Sequence, residues 1–124
     1  MQSLSWEVSL RKTAEADVVS IMYDPRVCVN RHAAPNKYYE ALMLGKPVIW
    51  STGMEIGKEA EKEQCGVSVE YGNVEELQKA VEYLMQPGVL KSMGERARAL
   101  FEYKYKDAAW KKIEDLYKKM ALIA

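Results

Sequence analysis

Three short runs of apolar, β-favouring residues are separated by segments whose apolar positions recur at helical spacing. Asp17 to Tyr23 (DVVSIMY) and Pro47 to Ser51 (PVIWS) are nearly continuous in apolar side chains, the pattern of strands covered on both faces. Gly66 to Glu70 (GVSVE) is shorter and alternates, which predicts a strand nearer a sheet edge. Between them, Pro35 to Leu44 has proline at its start and Gly45 just past its end, the asymmetry of a helix. Glu55 to Gln64 reads as a charged surface helix. The order strand–helix–strand–helix–strand predicts a parallel sheet with right-handed crossovers, its strands arranged first–second–third.

Beyond Glu70 the pattern is wholly helical. Asn73 and Glu76 form a capping-box pair ahead of Val74, Leu77, Val81 and Leu84. Gln86-Pro87-Gly88 interrupts that helix, and Leu90, Met93, Ala97, Leu100 and Phe101 mark the next. Ala109, Trp110, Ile113, Leu116, Tyr117 and Met120 stripe a last amphipathic helix. A helix-like segment, Trp6 to Ala16, precedes the first strand. The predicted class is α/β: a partial Rossmann-like three-stranded parallel sheet with helices on both faces, a helical C-terminal segment, and more than half of the residues helical. Residues 1–124 read as a single domain. Open doubly wound sheets have about five or six strands; this chain supplies three, and so reads as the second half of a nucleotide-binding fold.

Composition narrows the chemistry. Lys+Arg and Asp+Glu balance at 18 each, which leaves no net field to gather nucleic acid or an anionic membrane. Cys28 and Cys65 have no C-x-x-C spacing and His32 is the only histidine, so no metal and no other cofactor is expected. No apolar run approaches the roughly 20 residues of a membrane span. The first ten residues, MQSLSWEVSL, lack the basic flank and apolar core of a signal peptide. The expected location is the cytoplasm.

Ligands of open α/β sheets bind beyond the carboxyl ends of the strands. That rule selects two connections. Asp24 to Ala34 holds Asp24, Arg26, Asn30, Arg31 and His32, and a loop of that length in a compact domain is often functional. The other is Ser51-Thr52-Gly53. The helix starting at Pro35 offers free N–H groups and a positive dipole end, suited to a phosphate or diphosphate. Asn36 and Lys37 lie in its first turn, and Glu40 follows one turn later on the side of Asn36. A carboxylate there can accept two hydrogen bonds from a ribose diol. On spacing alone, however, a helical Glu is as readily a solvated surface residue, Asn36 a cap, and His32 a structural histidine.

The stretch APNKYYEALMLGKPVI resembles the C-terminal nucleotide-binding domain of retaining glycosyltransferases with the GT-B fold, the group 1 (family 4) class. In that class an acidic residue stands eight positions before a Glu-Ala pair, followed shortly by GKPVI. EADVVSIMY is similar to the strand before the motif, CGVSVEYGNVEELQKAVEYLM to the strand–helix after it, and MGERARALFEYKYKDAAWKKIEDLYKKM to the terminal helices. The similarity runs in order over about residues 6–120. It implies a hexosyltransferase that moves a sugar from a nucleotide-sugar to an acceptor. Glu40 then matches the acid that binds the ribose hydroxyls. Asn36 and Lys37 fall near the diphosphate and donor sugar, and Gly53 falls in the glycine turn, with Glu55 after it. His32 occupies the place of the first acid, which contacts the donor sugar and is catalytic in the family; this is a departure from the pattern.

The family's acceptor domain, and the Arg/Lys pair that stabilises the leaving diphosphate, have no counterpart in this sequence. The chain therefore reads as a fragment, inactive alone, which requires an N-terminal domain or partner chain. Peripheral membrane association would belong to the full enzyme. The first strand carries Val18, Val19, Ile21 and Met22 with no Lys, Pro or bulge to blunt it, which predicts a symmetric homodimer through that edge or by exchange of the N-terminal or C-terminal helix. The alternatives are a non-enzymatic partner-binding fragment and a receiver-like signalling module. The second needs an acidic cluster, of which Asp24 alone is present.

Overall fold

A computed structural model describes residue 8 and residues 11–33 and 35–120; within the last helix the side chains at 108–110, 112 and 117 are outside that description. Readings that fall on Trp6, Ala34, Ala109, Trp110 and Tyr117 lie outside the described structure. The elements are β1 (Val19–Ile21), α1 (Cys28–Arg31), α2 (Asn36–Leu44), β2 (Val48–Ser51), α3 (Ile56–Lys62), β3 (Gly66–Val69), α4 (Val74–Leu84), α5 (Val89–Leu100), a π-helical turn (Phe101–Tyr105) and α6 (Ala108–Lys119). Residues 11–15 are also helical. More than half of the residues are helical and the strands form one parallel sheet in the order β1–β2–β3. Val19 pairs with Val48 and Ile21 with Trp50; Val48 pairs with Gly66 and Ser51 with Val69.

Strand β2 is buried at all four positions, as a central strand should be. Its alternate side chains enter different layers. Val48 and Trp50 join Tyr38, Leu42 and Met43 of α2 and Ile56 and Ala60 of α3. Ile49 turns the other way, onto Val69, Leu84 and Met93. Helix α5 straddles the two layers, giving Met93 to one and Ala97 and Leu100 to the other.

Strand β1 differs from expectation. It is three residues long rather than seven, and its middle residue, Ser20, is exposed between buried Val19 and Ile21. Val18 and Met22 are half-buried on the α4–α5 side. The near-continuous apolar run is therefore covered fully on one face only. Among the described residues β1 pairs with β2 alone, which makes it an edge. The other bounds shift by a residue or two at each end: β2 starts at Val48, β3 ends at Val69, and α3 spans Ile56–Lys62 rather than Glu55–Gln64.

Local rules explain several ends. Gly45 closes α2 at φ +69°, the left-handed conformation that glycine adopts without a Cβ penalty. Gly94 of α5 sits against it: a Cβ on Gly94 would lie 2.4 Å from the Gly45 carbonyl oxygen. Arg98, one turn on, donates to the Met43 carbonyl oxygen at 2.7 Å, capping the last turn of α2 with a cation. Asn73 caps α4 by accepting the Glu76 N–H at 2.9 Å, but Glu76 returns its carboxylate to the Glu70 N–H, also at 2.9 Å, rather than to that of Asn73. The capping box is thus half local, and its other half ties α4 to the end of β3.

The π turn after α5 went unread in the sequence. The Lys106 N–H reaches back to the Phe101 carbonyl at 2.9 Å, the wide spacing of such turns. It keeps Phe101 in the core while Tyr105 extends to α3. A buried charge secures the chain that follows. The Glu114 side chain is 1% exposed and bonds Arg98 at 2.7 Å, with Lys106 and Lys118 at 3.6 Å each. Burial works against its ionisation; Arg98 foremost, then Lys106 and Lys118, hold its carboxyl below the usual range.

Candidate functional site at the carboxyl end of the sheet

The loop leaving β1 is ordered by its own side chains. Asp24 accepts from the Arg26 backbone N–H at 3.0 Å and from its guanidinium at 3.0 and 2.9 Å. Those bonds hold the Asp24 carboxyl below its ordinary range. The Asn30 amide donates to the Asp24 carbonyl at 3.1 Å, so the expected irregular loop folds into the short helix α1.

The turn leaving β2 runs Thr52-Gly53-Met54-Glu55. The Thr52 N–H pairs with the Val69 carbonyl at 2.9 Å, extending the sheet by one bond. Gly53 has φ +99°, and a Cβ there would stand 3.4 Å from the Pro25 ring. The turn thus leans on the β1 loop. Glu55 grips that loop twice. Its backbone N–H donates to the Arg31 carbonyl at 2.7 Å, and its carboxylate lies 2.9 Å from His32 Nδ1. The imidazole bond holds the Glu55 carboxyl below its ordinary range.

Clefts flank this junction. One of about 480 Å³ lies beside α3, lined by Arg31, His32, Trp50, the Thr52–Glu55 turn, Lys58 and Ser68 among others. A second, of about 390 Å³, lies between the exits of all three strands, lined by Asp24, Pro25, Arg26, Thr52, Glu70 and Tyr71. Thr52 belongs to both. A smaller recess of about 200 Å³ opens between His32, Glu55, Tyr38, Tyr39, Glu59 and Tyr105. Its floor is an ordered carboxylate. Glu59 accepts from Tyr38 at 2.7 Å and from Tyr105 at 2.8 Å, and pairs with Lys104. Burial opposes its ionisation, but Lys104, Tyr38 and Tyr105 together keep it below the usual carboxylate range. Burial, and then Glu59, push the Tyr105 hydroxyl up to about 12.

The expected site residues divide into two groups. His32 and Gly53 meet in the 480 Å³ cleft. Asn36, Lys37 and Glu40 line neither that cleft nor the two beside it. Asn36 is exposed at the start of α2, Lys37 donates to Thr13 Oγ1 at 2.7 Å, and Glu40 is partly buried. Through Lys37 the start of α2 reaches the helical residues 11–15. The carboxylates at the clefts, Glu55 and Glu59, were not both foreseen: Glu55 had a weak signal in its place after the glycine turn, while Glu59 and Tyr105 are 46 residues apart and carried none.

Arg31 and Lys58 supply cations to the larger cleft, and Thr52, His32 and Glu55 supply donors and acceptors. The set suits a ligand that is both anionic and rich in hydroxyls. Cys65 is buried and its thiol pushed up to about 12 by that burial, so it is no nucleophile. Among the described residues no group of three His, Cys, Asp or Glu side chains is placed to hold a metal, and no helix is long and apolar enough to cross a membrane. No family model, curated protein or solved structure matches this chain.

Proposed function

We propose that this chain is the nucleotide-sugar-binding part of a retaining glycosyltransferase. The observation that carries the reading is the clamp at the carboxyl end of the parallel sheet. There the Thr52–Glu55 turn and the Arg31–His32 loop are bonded to each other beside a cleft of about 480 Å³. That is where open α/β sheets bind ligands, and the turn and loop coincide with two segments of the sequence resemblance. The resemblance gives Glu40 the ribose hydroxyls and Lys37, with the start of α2, the diphosphate, although neither side chain lines that cleft. The acceptor-binding domain and the Arg/Lys pair, which the family carries elsewhere, complete the transfer.

Calorimetry with UDP-, GDP- and ADP-glucose tests the reading, with acetyl phosphate as the control for a receiver-like module. One nucleotide-sugar should bind and acetyl phosphate should not. Because a hydrogen bond to a charged group is worth about 1.5–3 kcal/mol, Glu40→Ala should weaken that binding about 10- to 100-fold. Unchanged affinity in the variant would remove the ribose role, and no binding by any of the three would remove the function.

A further inference from the structure

Glu55 holds two successive residues of the opposite loop with two different groups, its N–H on the Arg31 carbonyl and its carboxylate on His32 Nδ1. His32 and Glu55 line the same two recesses, of about 480 and 200 Å³. An ionised carboxylate can only accept, so a neutral ring must carry its proton on Nδ1. Nε2 is left with a lone pair, an acceptor for a neutral hydroxyl rather than for a phosphate oxygen.

We propose that Glu55 is a positioning residue that sets the tautomer of His32, and that His32 Nε2 accepts a hydrogen bond from a hydroxyl of the donor sugar. This rests on the donor-binding reading above. It gives His32 a definite role at the place where the resembled family has an acid: one lone pair for one hydroxyl, without a negative charge. The dyad therefore reads the sugar, not the nucleoside diphosphate.

His32 is the only histidine in the chain, so long-range ¹H–¹⁵N correlation of the untagged protein in mildly alkaline buffer reports on a single imidazole. The wild type should show the Nδ1–H tautomer. Glu55→Ala should move it toward Nε2–H, and Glu55→Gln, which keeps an acceptor oxygen, should restore part of the signal. Calorimetry then compares UDP, GDP and ADP with their glucose conjugates. The cognate conjugate should bind more tightly than its diphosphate. Glu55→Ala should erode that advantage by about 3- to 10-fold, the size of one neutral hydrogen bond, because the conjugate loses more affinity than the diphosphate. An Nε2–H wild type, a conjugate no tighter than its diphosphate, or an equal loss for both ligands would overturn the dyad and spare donor binding. Failure of every nucleotide and conjugate to bind the wild type would instead defeat the donor-binding reading and the ligand assigned to Nε2 with it.

Discussion

The two ends of the sheet use charge and backbone in opposite ways. At the amino end, where Gly45 leads into β2, helix α5 lies directly on the chain, with Gly94 against Gly45 and Arg98 on the Met43 carbonyl. The carboxylate there, Glu114, is 1% exposed among three cations. At the carboxyl end the pairs are open: Arg26 is 82% exposed against Asp24, and His32 64% against Glu55. Both ends carry ion pairs, but only the amino end seals a carboxylate completely: at the other end Glu59 keeps 20% of its side chain exposed and Asp24 22%. A buried carboxylate stripped of its partner is stranded in a medium that cannot solvate it, while an exposed one returns to water. The amino end should therefore carry stability, and the carboxyl end is free to vary its contacts for a ligand.

Four measurements bear on this contrast. The largest effect should come from Arg98→Ala, which strands Glu114 and uncaps α2. We expect a loss of about 3–5 kcal/mol in urea unfolding at neutral pH; a loss below 1 kcal/mol would mean that Lys106 and Lys118 suffice. Gly94→Ala should follow, at about 2–3 kcal/mol, because the added methyl meets a backbone oxygen that no side-chain rotation can move. A neutral outcome there would show that α5 can slide on Gly45.

The third measurement is the acid limb of stability. Glu114 and Glu59 have folded pKa values below their ordinary 4.5, so the unfolded chain takes up protons first as pH falls. Their stabilisation is complete above that pH and drains away as pH drops through the folded values. Melting temperature against pH should fall below about pH 4.5. The fall should be shallower in Glu114→Gln, which has one such carboxylate fewer, and an identical slope would exclude Glu114. The smallest effect should be Arg26→Ala, whose pair is exposed. Its unfolding midpoint should match the wild type within error, and a clear shift would mean that the carboxyl-end loop is as structural as the amino end.

The fold was more legible than the site. β2 was readable because PVIWS is apolar at successive positions, which only a strand covered on both sides tolerates, and the Pro35-to-Gly45 frame marked α2 to within a residue. β1 was overread because its apolar run implied two covered faces, and coverage depends on which helices return to lie over it. The rule that ligands sit beyond the carboxyl ends of the strands selected both the loop that holds His32 and the turn that holds Gly53, and the structure brings the two to one cleft. Glu59 with Tyr38 and Tyr105 could not be seen, because nothing in local spacing records which helix will face a π turn 46 residues away.

What the sequence determined by itself was the set of elements and their parallel order. Periodicity, caps and glycine stops act within a few residues, and the handedness of crossovers then leaves few topologies open. What only the tertiary structure decided was which charges are buried and which are offered to solvent. Glu114, Glu59, Glu55 and Glu40 are alike as letters on helical or near-helical segments. The first is sealed among cations from α5 and the chain that follows it, the second is floored beneath two tyrosines, and the third faces a cleft. The fourth is partly buried and lines none of the three clefts at the carboxyl end. Desolvation and pairing depend on contacts between segments far apart in the chain, and those are settled only when the layers close.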